Sequence, residues 1–264
     1  MNENKKLFEI LKQAKKNKLH LKFLSSKEVE KIEPEVKCYS ALFSKTTGVI
    51  DTNELMISLV RDIESKNGSI AYNSKLEEIK LSDNYFLVKI SSENRYLKVK
   101  NIINSAGLYS REIALNIKGL NKNQIPKINL IKGDYFKIQC ESPFKRLIYP
   151  LPTKNGLGIH STLTFRNETI FGPDSNAIKK INYNVEDEKE EVFRKSIRSY
   201  WPKVDSHKLI PDYSGIRTKS YNNDFIIKKH SLSKNSNIVN LYGIDSPGLT
   251  SCLAIGDYVV DMYC

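Results

Sequence analysis

The sequence predicts a mixed α/β (α+β) fold in which an incomplete α/β layer of parallel type is interleaved with an antiparallel sheet. Three observations lead there. The apolar, β-branched run into Asn104-Ser105-Ala106-Gly107-Leu108-Tyr109-Ser110 passes straight into a helical stretch from Arg111 to Asn116, a strand–turn–helix connection. A second such connection closes the chain: Asn240-Leu241-Tyr242 runs into Ser246-Pro247-Gly248-Leu249-Thr250, with a helix expected from Leu249 or Thr250 onward. Between them, 131–139, 146–151, 158–164 and 169–171 read as strands joined by Pro, Gly and Asn turns, the pattern of an antiparallel sheet.

Taken in order, Asn2 to Lys22 is locally basic and has helical periodicity, with Leu7, Ile10, Leu11 and Ala14 on one face. It reads as a solvated helix face, with attraction to an acidic membrane surface as the alternative. Asp51-Thr52-Asn53-Glu54 is a capping-box pattern ahead of an apolar stripe of Leu55, Met56, Leu59, Val60 and Ile63, and Asn67-Gly68 supplies the stop. Strands are expected at 69–72, 76–81, 85–90 and 96–103. Helix, strand, short meander and a strand ending in Ala-Gly is the order a dinucleotide-binding fold shows after its first βαβ unit. Past the antiparallel sheet, 185–200 reads as a helix with Val185, Val192, Phe193 and Ile197 inward, closed by Trp201-Pro202. Strands return at 213–218, 225–228 and 238–242. The expected division places 48–123 and 236–264 in the nucleotide-binding part, and 1–47 and 124–235 in the other.

The net charge of +12 over 264 residues invites a nucleic-acid reading. Its make-up argues against one: 34 lysines stand against eight arginines, scattered among Asn, Ile and Ser. Arg is the residue favoured for bidentate recognition of phosphate and bases. Cys38, Cys140, Cys252 and Cys264 show no C-x-x-C spacing and read as reduced, mostly buried thiols of a cytoplasmic protein. No apolar run approaches the ~18 residues a membrane span needs.

Ala106 and Gly107 carry almost no side chain, so the backbone at that turn can approach a bulky ligand. The turn of Ser246, Pro247, Gly248, Leu249 and Thr250 precedes a helix start, which leaves backbone N–H groups and a positive dipole end facing it; an ordinary cap is the bland reading. Arg217, in Gly215-Ile216-Arg217, alone among the arginines has a strand-like, mostly uncharged context, and its fork suits a carboxylate; a surface ion pair would read the same. Gly158-Ile159-His160 puts an imidazole at a strand edge, able to accept a proton near neutrality or to be a satisfied structural residue. His20, His207 and His230 stand in polar, loop-like surroundings, and no spacing suggests a metal. Tyr135 and Tyr149 could line a pocket or simply pack. Lys132-Gly133-Asp134-Tyr135 reads either as a strand opening or as a charged pocket edge, and Gly172-Pro173 as a turn.

The ordered set Ile32-Glu33-Pro34, Thr47-Gly48-Val49-Ile50-Asp51, Asn104 to Ser110, Lys132-Gly133-Asp134-Tyr135, Leu147-Ile148-Tyr149-Pro150, Leu157-Gly158-Ile159-His160, Phe171-Gly172-Pro173, Gly215-Ile216-Arg217, Asp224-Phe225 and Ser246 to Thr250 with Leu253-Ala254-Ile255-Gly256 covers nearly the whole chain. It resembles the FAD-dependent oxidoreductases of the D-amino-acid-oxidase-like superfamily, in their L-2-hydroxyglutarate dehydrogenase/oxidase branch. The resemblance implies an FAD-binding Rossmann-like domain, here incomplete, interleaved with an antiparallel-sheet substrate domain. It implies FAD as cofactor and oxidation of an L-2-hydroxy acid to the 2-oxo acid, a base taking the hydroxyl proton while hydride passes to the flavin. Electrons then leave to a quinone or oxygen. By position Ala106, Gly107, Ser246, Pro247, Gly248, Leu249 and Thr250 would touch FAD, with the helix start stabilising the anionic edge of the reduced flavin. Arg217 would hold a carboxylate, His160 would be the base or a substrate partner, and Tyr135 and Tyr149 would line the substrate. No G-x-G-x-x-G occurs in the sequence. The family places that loop, a first strand and an acidic ribose ligand ahead of the position of Met1, so the expectation is a fragment, or one half of a split enzyme with a separately encoded N-terminal FAD-binding piece. The alternatives are another substrate in the same superfamily, such as glycerol 3-phosphate or an amino acid, and a non-catalytic basic binding protein. A peripheral place at the inner membrane surface is the variant of the cytoplasmic expectation.

Overall fold

The computed structural model describes residues 3–91, 93–152, 158–232 and 236–263; Asn2, Leu157 and Cys264, named above, lie outside them. Two compact units share the chain: Met1–Leu55, Lys132–Asn176 and Asn182–Gly215 form one, and Met56–Ile131, Ala177–Ile181 and Ile216–Cys264 the other.

The first unit opens with helix α1 (Glu3–Lys16), strand β1 (Leu21–Ser25), helix α2 (Ser26–Ile32) and strand β2 (Ser40–Ser44). Ser25 ends β1 and caps α2: its Oγ accepts from the Glu28 N–H, and the Glu28 carboxylate accepts from the Ser25 N–H. β1 and β2 pair antiparallel, Phe23 opposite Leu42. Helix α3 (Thr52–Ser65) follows, with the Asp51 carboxylate accepting from the N–H groups of Asn53 and Glu54 at 3.0 and 3.1 Å. Asn67, at φ +61°, ends it as expected. The apolar stripe of α3 is only partly covered, however: Leu55, Leu59 and Val60 are half-buried, Met56 and Ile63 are exposed, and none is fully buried.

A meander of β3 (Leu76–Leu81), β4 (Phe86–Ile90) and β5 (Leu97–Val99) then leads into β6 (Asn101–Asn104). The single strand expected over 96–103 is therefore two, broken at Lys100 and paired in two different sheets. The strand expected at 69–72 is an irregular stretch and turn; it has the composition of a strand but finds no ladder partner among the described residues. Helix α4 (Ser110–Leu115) covers one face of β6.

Strand β7 (Ile128–Ile138) carries the chain back to the first unit, where β8 (His160–Leu163), β9 (Thr169–Gly172) and β10 (Asn176–Ile178) join it in the order β10-β7-β9-β8. The strand expected at 146–151 is reduced to one bridge, Ile148 with Ser161. Helix α5 (Glu190–Arg198) is shorter than expected and packs Phe193 and Ile197 inward; Val185 packs on the same core from ahead of the helix, whereas Val192, expected inward, is 61% exposed because it lies off the narrow Phe193–Ile197 stripe. Its aromatic core is dense: Phe171 stacks on Trp201 at 5.9 Å and Phe136 lies 4.5 Å from Phe193. Each such side chain, fully buried, contributes about 1.5–3 kcal/mol. Strand β11 (Leu209–Ser220) pairs β7, and the chain then stays in the second unit.

There β12 (Ile226–Ser231) and β13 (Asn237–Tyr242) form a hairpin, and β13 pairs parallel with β6, Asn240 opposite Asn104. Helix α6 (Cys252–Asp261) covers Val239 and Leu241 of β13 through Val259 and Ile255. The other face of the sheet carries Ile238 and Tyr242 against Ala114, Ile79 and Phe86. Parallel strands with helices on both faces are the expected α/β layer.

Among the described residues β6 pairs only with β13, and Ile103 on it is 50% exposed. An apolar edge of that kind templates pairing between molecules. Ile103→Lys is expected to lower self-association of the isolated chain in light scattering while changing its unfolding free energy by less than about 1 kcal/mol.

Candidate functional site

Because β6 and β13 run parallel, their carboxyl ends lie side by side, which is where open parallel sheets receive ligands. Asn104, buried at the end of β6, fixes the turn that follows. Its Nδ2 donates to the Ser110 carbonyl and to Asn240 Oδ1, both at 2.8 Å, and its Oδ1 accepts from the Ala106 N–H at 3.4 Å. Gly107 then takes φ +56°, a left-handed conformation that favours glycine, and a Cβ on it would meet nothing within 4 Å. The bare turn thus faces open space. A cleft of about 460 Å³ lies beside it, bordered by Ala106, Tyr109, Glu112 and Ile113 on one side and by Leu76 and Glu78 of β3 on the other.

After β13 the chain does not enter a helix at Leu249 or Thr250. Residues 246–251 form successive turns, with the Gly248 N–H bonded to the Asp245 carbonyl and the Ser251 N–H to the Pro247 carbonyl at 3.0 Å, and α6 starts at Cys252. Ser251 occupies the cap position but donates its hydroxyl to the Pro247 carbonyl, so no side chain caps the helix. A Cβ at Gly248 would sit 2.6 Å from the Asp245 carbonyl oxygen, so the turn closes only with glycine there. Ser246, Pro247 and Asp245 line a second cavity of about 310 Å³ with Lys219 and Asp224. Arg217, on β11, faces the same turn: its Nε lies 3.7 Å from Asp245 Oδ1, an ion-pair distance without a hydrogen bond, and both atoms are buried. Tyr242, whose hydroxyl also has no hydrogen-bond partner among the described residues, has its pKa pushed up to about 12 by burial.

The remaining candidates, His160, Tyr135 and Tyr149, belong to the first unit. His160 opens β8 opposite Gly172 of β9. The β7–β9 register, Phe136 opposite Phe171, puts Tyr135 on the other side of Gly172. His160, Gly172 and Tyr135 therefore form one cross-strand row on one sheet face. The Tyr135 ring leans over Gly172, where a Cβ would come within 2.6 Å of it, and stacks on Tyr213 at 4.4 Å. Tyr149 stacks on the His160 ring at 4.2 Å and 15°. The His160 Nδ1 lies 3.2 Å from the Gly158 carbonyl. A carbonyl only accepts, so Nδ1 carries hydrogen and, in the neutral ring, Nε2 is the basic nitrogen. Burial raises the pKa of the Tyr149 hydroxyl; Tyr213 shifts the same way, through burial first and the Asp212 charge second. Both stay protonated at neutral pH.

The alternatives at Lys132-Gly133-Asp134-Tyr135 resolve into neither a strand opening nor a pocket edge. Strand alternation sends Lys132 and Asp134 inward, away from Tyr135, into an ion cluster: Lys132 Nζ lies 3.2 Å from Asp134, Lys189 bridges Asp134 and Asp174, and the Asp134 N–H donates to Asp174 at 2.7 Å. The histidine reading needs correction at His230, which is buried within β12, a strand the local polarity concealed; His207 lies in a bend, as expected, and packs on Trp201 at 4.9 Å. Of the thiols, Cys140 is exposed and Cys38 and Cys252 half-buried, so the expectation of mostly buried cysteines fails; Cys140 follows the end of β7, at the sheet margin. Gly172, read as a turn residue, and Asp245, not singled out at all, emerge as site residues only from the register and the tertiary meeting of β11 with the turn after β13.

The family model for FAD dependent oxidoreductase (DAO) matches residues 2–262. A mitochondrial L-2-hydroxyglutarate dehydrogenase of Arabidopsis thaliana is 30% identical, over 92% of this chain and 60% of its own length. A glycerol 3-phosphate dehydrogenase of Caloramator mitchellensis is 28% identical, over 99% and 54%. The chain thus spans little more than half the length of these curated relatives. Among solved structures, L-alpha-glycerophosphate oxidase from Mycoplasma pneumoniae shares the fold with a TM-score of 0.81 at 24% identity, covering 96% of this chain and 67% of that one. L-Proline dehydrogenase from P. horikoshii does so at 0.80 and 15%, over 97% and 68%. With a strand–turn–helix pair at the ends of parallel strands and a family match over almost its full length, the chain belongs to the FAD-dependent oxidoreductase (DAO) family.

Proposed function

We propose that the chain is the substrate-bearing part of an FAD-dependent L-2-hydroxy-acid oxidoreductase, with L-2-hydroxyglutarate oxidised to 2-oxoglutarate. The observation that carries the chemistry is the Gly158 carbonyl at His160 Nδ1, which leaves Nε2 as the proton acceptor. The substrate rests on the 30% identity to an L-2-hydroxyglutarate dehydrogenase and on the arginine fork at Arg217. Glycerol 3-phosphate is the second reading, supported by a relative at 28% identity.

The residues present fit FAD at two points. The Ala106-Gly107 turn offers bare backbone to open space, and the uncapped start of α6 behind Ser246, Pro247, Gly248, Leu249 and Thr250 offers N–H groups to an anionic edge. When bound, FAD supplies the two-electron acceptor, and a quinone or oxygen takes the electrons onward. The protein side of the reaction divides among named groups. His160 Nε2 takes the hydroxyl proton; the Gly158 carbonyl holds the imidazole in that tautomer, and Tyr149, stacked on the ring, holds its orientation. Tyr135, kept over Gly172, bounds the same sheet face. Arg217 holds a substrate carboxylate. A further polypeptide segment, carrying a strand parallel to β6 and a glycine-rich phosphate loop, completes the sheet; the open β6 edge and the exposed Leu253 and Val260 of α6 support this.

The test is reconstitution of the chain with such a segment. The product is expected to be yellow, and L-2-hydroxyglutarate should bleach its visible flavin band; bleaching by glycerol 3-phosphate alone selects the second reading. In that complex His160→Gln should keep the flavin and lower the rate of flavin reduction by ~10²–10⁴, in stopped flow. Unchanged reduction per flavin-loaded molecule makes His160 a packing residue. Arg217→Lys keeps the charge but loses the fork, and KM for the hydroxy acid should rise about tenfold with kcat less affected. Equal KM in the two proteins removes Arg217 from substrate binding.

A further inference from the structure

Arg217 is held in an unusual way for a ligand-binding arginine. Its buried Nε faces the equally buried Asp245 Oδ1 at 3.7 Å, close enough for charge attraction and too far for a hydrogen bond. Asp245 is its only ion-pair partner among the described residues, and no hydrogen bond takes up its two terminal nitrogens, which reach solvent. The guanidinium is therefore oriented by one carboxylate along its inner edge and presents its outer edge, two parallel N–H directions, to whatever binds. Around it the local charge is not simply positive. The adjoining cavity of about 310 Å³ is lined by Asp245 and Asp224 against one lysine, Lys219.

We propose that Asp245 is a positioning and specificity-determining residue that sets which anion Arg217 accepts. The proposal rests on the reading of Arg217 as a substrate-anion ligand. The outer fork matches a single carboxylate of charge −1. A phosphate monoester carries about −1.5 to −2 at neutral pH, so it meets the fixed Asp245 and Asp224 charges with up to twice the repulsion. Asp245 thus favours a hydroxy acid bound through a carboxylate over glycerol 3-phosphate, the two substrates that the relatives leave in contention. Arg217 supplies the attraction, and Asp245 decides between ligands by repelling the more highly charged one.

The experiment has two arms. In the first, melting of the full chain, completed as above, is followed with acetate or inorganic phosphate. The parent protein should be stabilised by acetate and little by phosphate. Asp245→Asn should gain stabilisation by phosphate, Asp245→Glu should keep the parent preference, and Arg217→Ala should lose the response to both. In the second arm, KM and kcat are measured for L-2-hydroxyglutarate and glycerol 3-phosphate. Asp245→Asn should move the ratio of kcat/KM toward glycerol 3-phosphate by about tenfold, mainly through KM. Should Asp245→Asn fail to fold, Asp245→Ser serves the same comparison. An unchanged acetate-to-phosphate preference in the neutral variant overturns the role of Asp245. A parent protein that responds to neither anion, like Arg217→Ala, overturns the role of Arg217 and this proposal with it. A preference that switches as expected in a protein bleached by neither substrate upholds Asp245 and removes only the proposed substrates.

Discussion

The second unit depends on one buried hydrogen bond between side chains of parallel strands, Asn104 to Asn240. It ties the carboxyl end of β6 to the carboxyl end of β13, and through the Ser110 carbonyl it ties both to the start of α4. Neither amide is accessible to water, so removing one partner strands the other at a cost of about 1–3 kcal/mol. With that bond in place the Ala106-Gly107 turn and the Ser246-to-Thr250 turn both follow the carboxyl ends of adjacent parallel strands. Both candidate cofactor contacts follow from it.

The first unit solves a different problem, which is to keep charges and aromatic rings of one strand apart. Along β7 the alternation of a pleated strand does this. Lys132 and Asp134 point into an ion cluster completed by Lys189 and Asp174, whereas Tyr135 points to the opposite face, in the row with Gly172 and His160. A buried ion cluster adds little net stability, but separating its partners is costly, so the cluster holds the register of β7 against the segment carrying Lys189. Register in turn places Tyr135 opposite Gly172. A shift of one residue would put Asp134 on the site face instead.

Much of this was legible in the sequence where local chemistry decides the outcome. The cap at Asp51, the end at Asn67, the inward Phe193 and Ile197 of α5 and strand β3 all follow from residues a few positions apart. The capping box of Ser25 and Glu28 was equally readable and marks α2, with β1 and β2 beside it, although the pattern of apolar residues there is too weak to draw the eye. What could not be read were matters of partnership. Tyr96 to Ile103 is an unbroken strand pattern, and only the existence of two sheets splits it at Lys100. Residues 69–72 have strand composition and no neighbour to pair with among the described residues. Asp245 and Gly172 acquire meaning only when distant segments meet them, whereas Arg217, His160, Tyr135 and Tyr149 stood out by residue type alone.

The break at Lys100 reaches beyond secondary structure. The cleft beside Ala106 has β3 as one wall and the turn with α4 as the other. Those walls are joined covalently through β4, β5, the single residue Lys100 and β6, and are pinned again by the parallel bridge between Ile79 and Ile117. A gap fastened by backbone at both margins has a width that its lining side chains do not set. Glu78, Glu112 and Tyr109 could therefore diversify among descendants of this chain, retuning what the cleft attracts, while the thickness of what it admits stays constant.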